Sequence, residues 1–353
     1  MVLANGDKLH HGRYTYTVVE QLGKGRFSIT YQVKDDNGDS FVVKTLDDDL
    51  LNTRTLSQLE LDRLETKFHQ EALKLQKCVH PNIVKFIDTF TDNSKTYLLM
   101  EYVGKESLAT RPQRILSSEV ALNYIKQIGE ALIVVHDNNL IHRDVKPANI
   151  LLRSMSGKPI LMNFGWALDV DSNLTTQRTS EASDGFAPIE LYSRSGQKPG
   201  AYTDVYSLAA TLYELLTGKA PVSAIKRKLE NQPLIPPKTW NPEISDRINQ
   251  VILSGMELKP EQRPQSIREW LDLLEENNGA EVSRNDDTNR SNGSQRQINW
   301  GVIWTAVGAV GTLLAGIAAL LALFPSQPTP TDSTDSTDSL PSDNSIPSEK
   351  LKN

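Results

Sequence analysis

Apolar positions alternate with polar ones early in the chain and move to helical spacing later. Tyr14, Tyr16 and Val18 fall at every second position, which predicts a strand over 14–21 with one buried face. A strand is also predicted over 40–46, where Phe41-Val42-Val43 runs into Lys44. Beyond it, residues 58–76 contain neither Gly nor Pro and have helix-forming composition. From 117 to 138, Val120, Tyr124, Ile128, Ala131, Leu132 and Val135 share one side of a predicted helix. A further apolar helix begins at Asp204-Val205-Tyr206-Ser207-Leu208 and stops at Gly218, with Pro221 beyond it.

The pattern breaks near residue 277. Residues 277–299 are rich in Asn, Ser, Asp and Arg and read as a flexible linker. Residues 300–324 carry no charge; as a helix they would extend about 37 Å, enough for a tilted crossing of a hydrocarbon core about 30 Å thick. Trp300 and Trp304 suit the interfacial belt. Arg284, Arg290 and Arg296 precede this segment, and no Lys or Arg follows it until Lys350. The positive-inside rule then predicts a single-pass membrane protein with its N-terminal part in the cytoplasm and its tail, 325–353, outside. That tail repeats Thr-Asp-Ser from Thr331 to Ser339 and is too polar to fold. Small residues four apart, Gly311 with Ala315 and Thr312 with Gly316, would let two spans pack closely, so a homodimer is an expectation.

Charge and cysteine usage narrow the classes. The 353 residues carry a net charge of −6, so no extended basic surface is indicated and nucleic acid is not an expected partner. Cys78 is the single cysteine, which excludes an intramolecular disulfide and suits a packing role. Residues 1–13 contain no apolar run and are expected to form an N-terminal extension without a secretory signal.

The chemistry concentrates at His142-Arg143-Asp144-Val145-Lys146-Pro147-Ala148-Asn149. This octapeptide resembles H-R-D-x-K-P-x-N, the catalytic loop of protein Ser/Thr kinases. Upstream, Leu22-Gly23-Lys24-Gly25-Arg26-Phe27-Ser28-Ile29-Thr30 resembles the glycine-rich loop, with Ser28 at its third glycine. His69-Gln70-Glu71-Ala72-Leu73 resembles the regulatory helix, and Tyr97 to Gly104 the last strand and hinge. Downstream, Pro188-Ile189-Glu190 stands at the usual A-P-E, with Arg263 where the partner of that Glu stands. The elements follow family order over about Tyr14 to Leu274, so the chain resembles a eukaryotic-like bacterial Ser/Thr protein kinase.

The resemblance implies an α+β, bilobal kinase domain over 14–276, with a β-rich N-lobe (14–103) and a helical C-lobe (104–276). It implies ATP and Mg²⁺, or Mn²⁺, as cofactors, and proteins as substrates. Asp144 would accept the substrate hydroxyl proton, Lys146 would steady the γ-phosphate, and Asn149 would help to hold metal. Lys44 would reach the α- and β-phosphates and pair with Glu71; Glu60 and Glu65 are the rival partners. Leu22, Gly23, Lys24, Gly25, Phe27, Ser28 and Thr30 would cover the nucleotide. Met100 would be the gatekeeper. The backbones of Glu101 and Val103 would bond adenine, Glu106 would approach the ribose, and Leu151 would floor the pocket.

Where the family has Asp-Phe-Gly, this chain has Asn163-Phe164-Gly165. The Asp normally holds magnesium against the β- and γ-phosphates, and Asn offers one neutral carbonyl oxygen in its place. Two expectations follow: a working kinase, or a catalytically impaired pseudokinase that binds nucleotide and signals through contacts. His142 and Phe164 would still stack with Leu75 and Phe86. Arg143, beside Asp144, would pair with a phosphorylated residue of the activation segment, for which Thr175, Thr176, Thr179 and Ser180 are candidates.

Overall fold

The computed structural model describes residues 2–25, 28–47, 58–164, 168–169, 185–192 and 197–275. The chain divides into two units, Met1–Ser283 and Arg284–Asn353, and every described residue belongs to the first. The predicted linker, membrane span and tail, together with Phe27, Thr175, Thr176, Thr179 and Ser180, lie outside the described residues. Among the described residues, no helix is long and apolar enough to cross a membrane.

Six strands form one antiparallel sheet: β1 (Lys8–His11), β2 (Tyr14–Lys24), β3 (Ser28–Lys34), β4 (Ser40–Leu46), β5 (Phe86–Asp92) and β6 (Lys95–Glu101), in the order β1-β2-β3-β4-β6-β5. Period-2 alternation sorts its two faces. Ile29, Tyr31, Val33, Val43, Tyr97 and Leu99 pack with Leu9, Tyr16 and Val18 on one face. The other presents Lys44, opposite Thr30 on β3 and Leu98 on β6. Residues 1–13, read from sequence as an extension, contribute β1 instead. Its edge meets the far edge of the sheet, where His11 Nε2 lies 3.0 Å from Asp88 Oδ2 and the His10 N–H donates to Asp92 Oδ2 at 3.2 Å. The sheet therefore curls until its two edges touch.

Helix α1 (Gln58–Lys77) packs against this sheet through Phe68 and Ala72, which cluster with Leu98. The second lobe is built on α2 (Ser118–Asp137) and α3 (Ala201–Thr217). Ser117 caps α2, its hydroxyl accepting the Val120 N–H. Ile125, Ile128, Ala131, Leu132 and Val135 are fully buried, each large aliphatic chain contributing about 1.5–3 kcal/mol, whereas Val120, placed on that side from the sequence, is exposed. Helix α3 starts at Ala201, a turn before Asp204, and ends at Gly218, whose φ of +67° closes it in the left-handed region. Around these lie α4 (Ala224–Leu229), α5 (Pro237–Trp240), α6 (Asp246–Gly255) and α7 (Ile267–Glu275). Between the lobes run three short strand segments that carry the chemistry: β7 (Leu140–Ile141), β8 (Ile150–Leu152) and β9 (Pro159–Leu161). A two-residue strand, β10 (Leu168–Asp169), pairs with β7.

Candidate functional site

Lys44 on β4 reaches across to α1, where its Nζ lies 2.7 Å from both carboxylate oxygens of Glu71. The two side chains are 13% and 6% exposed, so each charge depends on the other for compensation. The rival Glu65 faces solvent.

Past β7 the chain enters the 142–149 segment, which is held from below by one carboxylate. Asp204 in the first turn of α3 accepts the backbone N–H groups of His142 and Arg143, both at 2.8 Å, and meets His136 Nε2 at 2.8 Å. Burial alone would push its carboxyl up, but bonding and charge from His136, with help from His142 and the Arg143 backbone, outweigh that and hold it below the ordinary value. Arg143 sits at φ +69°, a conformation that costs a non-glycine residue about 1–3 kcal/mol and that the Asp204 bonds offset. His136 had no motif to flag it; its α2 position is legible only once α3 is packed beside it.

The strained turn delivers Asp144, 4% exposed, to the inter-lobe cleft. Asn149 Nδ2 donates to the Asp144 carbonyl and to its Oδ2, both at 2.7 Å. Lys146 Nζ lies 3.3 Å from the other carboxylate oxygen, Oδ1. Asn163, at φ +71°, follows β9 and turns Nδ2 toward Asp144 Oδ2 (3.5 Å) and Asn149 Oδ1 (3.4 Å). Phe164 is fully buried with its ring 4.9 Å from that of His142, edge to face, in the same cluster as Leu75 and Phe86.

These side chains make a poor cage for a divalent cation of the protein's own. Magnesium favours charged oxygens in octahedral array. Here Asp144 Oδ2 already accepts two amide N–H groups and Oδ1 faces an ammonium, leaving only neutral amide oxygens from Asn149 and Asn163. Among the described residues no three His, Cys, Asp or Glu come together as a metal site. The donor set does not fit a resident magnesium ion.

Above the cleft, β2 and β3 form the hairpin of the glycine-rich segment, closed where the Gly25 N–H donates to the Ser28 carbonyl at 2.8 Å. Gly23 pairs with Thr30, and Leu22 is half-buried beside them. Lys24 is placed differently from its sequence reading. It pairs with Ile29, whose side chain lies in the cluster on the face away from Lys44, and its Nζ meets the nearly fully buried Asp47 at 2.7 Å. Asp47 was not singled out from sequence, because an acid inside Asp47-Asp48-Asp49 looks solvated.

The cleft's rear wall is the strand end at Met100, buried opposite Val42. The Glu101 side chain turns out of the cleft, accepting from Arg153 at 2.9 and 3.0 Å and from the Lys85 N–H. The Val103 carbonyl accepts from Ser154 N at 3.1 Å. Gly104, at φ +145°, lets the chain pass so close that a Cβ would lie 2.8 Å from Ser154 Oγ. Glu106 is exposed, and Leu151 packs partly against the core below. In the second lobe Arg263 Nη1 and Nη2 donate to Glu190 at 2.7 and 3.0 Å, with Thr203 Oγ1 adding a bond at 3.0 Å, all buried.

The described cleft thus joins a buried lysine–glutamate pair, a fixed carboxylate with a lysine beside it, and a hairpin of small residues overhead. Residues 16–273 match the protein kinase domain family. A "probable serine/threonine-protein kinase" from Clostridium perfringens is 30% identical over 272 residues, which cover 74% of this chain and 38% of that protein. Another from Streptomyces coelicolor is 31% identical, over 73% of this chain and 39% of that protein. The chain thus spans well under half the length of these curated relatives. An Aurora kinase of Schizosaccharomyces pombe is 30% identical over 67% of the chain and 66% of its own length. Among solved structures, the apo form of PpkA-294 superposes with a TM-score of 0.63 at 26% identity, covering 78% of this chain and 99% of that one. A mutant form of the Mycobacterium tuberculosis PknI kinase domain gives 0.57 at 25% identity, over 78% and 98%. With most of its length matched in sequence and its cleft built as described, the chain belongs to the protein kinase family.

Proposed function

We propose that this chain is a protein serine/threonine kinase that transfers the γ-phosphoryl group of ATP to Ser or Thr hydroxyls of proteins in signalling. The observation that carries this reading is the Asp144 carboxylate, held by Asn149 within 3.3 Å of Lys146 while Lys44 and Glu71 are paired. Asp144 takes the hydroxyl proton, Lys146 offsets charge on the phosphoryl group, and Lys44 holds the α- and β-phosphates. Leu22, Gly23, Gly25 and Thr30 cover the nucleotide, and the hinge backbone at Glu101 and Val103 receives adenine over Leu151. Magnesium or manganese enters as a ligand of the ATP phosphates, while Asn149 holds Asp144 in place. Residues 300–324 tether the domain to a membrane with its catalytic part in the cytoplasm, and phosphorylation at Thr175, Thr176, Thr179 or Ser180 would order the activation segment through Arg143.

Asn163 supports a second reading, a pseudokinase that binds nucleotide and acts through contacts. Phosphate transfer from labelled ATP to a generic protein substrate separates the two. The detergent-solubilised full chain is compared with Asp144→Ala as blank and Asn163→Asp as repair. Transfer above the blank by the native chain is expected; transfer only by Asn163→Asp would establish the second reading.

A further inference from the structure

Asn163 Nδ2 lies between two hydrogen-bond acceptors. The Asn149 amide nitrogen is committed to Asp144, so the atom Asn149 turns toward residue 163 is its oxygen, 3.4 Å away. The second neighbour is Asp144 Oδ2, at 3.5 Å. A side chain can rest there without help only if it donates, and the Asn163 amide brings two N–H groups. A carboxylate of the same length would set a third acceptor against two and would need a cation among them. The backbone does not decide between the two, since φ of +71° suits Asn and Asp alike.

We infer that the Asn163 amide takes the place of a protein-held divalent cation, so that nucleotide binds this chain with an affinity independent of that cation. The inference rests on the nucleotide reading of the cleft. A metal in such a site bridges protein carboxylates to phosphate oxygens that would otherwise repel them. Here each cleft carboxylate is already matched: Asp144 by Lys146 and two amide groups, and Glu71 by Lys44. Among the described residues no cleft carboxylate remains for the cation to bridge, and it stays a ligand of the nucleotide alone.

The test is a titration of the full chain in detergent with a trinitrophenyl-ATP probe, in EDTA and then in Mg²⁺, alongside Asn163→Asp. The native chain is expected to show dissociation constants within about threefold of each other. Asn163→Asp is expected to bind about tenfold or more tighter with Mg²⁺ than in EDTA, the scale on which metal sites respond to altered ligands. Mg²⁺ alone, without nucleotide, should raise the unfolding midpoint of Asn163→Asp and leave the native midpoint unmoved. A native chain that tightens tenfold in Mg²⁺, or a variant as indifferent as the native chain, overturns the inference. Absence of binding by both proteins in both conditions overturns the nucleotide reading as well, an outcome distinct from metal-dependent binding.

Discussion

A carboxylate that is to receive a proton has to be held still without being neutralised. Asp144 meets both demands because it is bonded by a neutral amide, Asn149, while the Lys146 ammonium stands at the longer distance of 3.3 Å. The same economy appears at His80, whose Nδ1 accepts the Asn82 N–H at 3.2 Å and so begins the turn that bonds Asn82 to Pro159. Burial holds the His80 pKa below its ordinary 6.5. The folded state thus binds fewer protons than the unfolded one as pH falls through and below 6.5, and stability drops on acidification in that window. His80→Asn keeps an acceptor for the Asn82 N–H and removes the titration. Its unfolding midpoint is expected to change less between pH 7 and pH 5 than that of the native chain, as followed by circular dichroism; parallel curves would remove His80 from this role.

At the scale of elements, the β2–β3 hairpin is tied down at its tip by a pair on the face away from the nucleotide. Lys24 leaves β2 to meet Asp47 just past the end of β4, clamping three strands where the glycine-rich turn begins. If the clamp sets how far the hairpin leans over the cleft, Lys24 acts as a positioning residue rather than a phosphate ligand. Asp47→Asn removes its charge without touching the cleft. It is expected to weaken nucleotide binding several-fold and to speed amide hydrogen exchange in β2 and β3. If Lys24 instead contacts phosphate directly, Lys24→Met will cost far more affinity than Asp47→Asn. The Glu190–Arg263 pair does comparable work in the second lobe, joining the 189–192 turn to the 260–263 turn across α3. Arg263→Ala strands a buried carboxylate and should cost about 3–5 kcal/mol of stability. Glu190→Gln with Arg263→Met, which leaves neither charge behind, should cost markedly less in the same denaturant titration.

Across the whole molecule, what could be read from sequence was what depends on local order. Strand β2 follows from alternation, β4 from its apolar run before Lys44, α2 from its apolar side, and the cleft residues from short motifs whose spacing is set by single turns. What could not be read depends on distant segments meeting. Strand β1 is recognisable only once β2 offers it an edge, and the burial of Asp47 only once Lys24 arrives from another strand. Residues 300–324 form an uncharged run long enough to cross a bilayer, with arginines on one side only. If this segment anchors the kinase domain, catalysis is confined to a plane, and substrates met at the membrane see it at raised effective concentration. The full chain expressed in bacteria is expected in the membrane fraction after alkaline carbonate washing, and a chain ending at residue 299 in the supernatant. Protease added to intact spheroplasts should remove only the tail beyond 325 and spare the domain. Cleavage of the domain in intact spheroplasts would reverse the orientation, and release of the full chain by carbonate would remove the anchor.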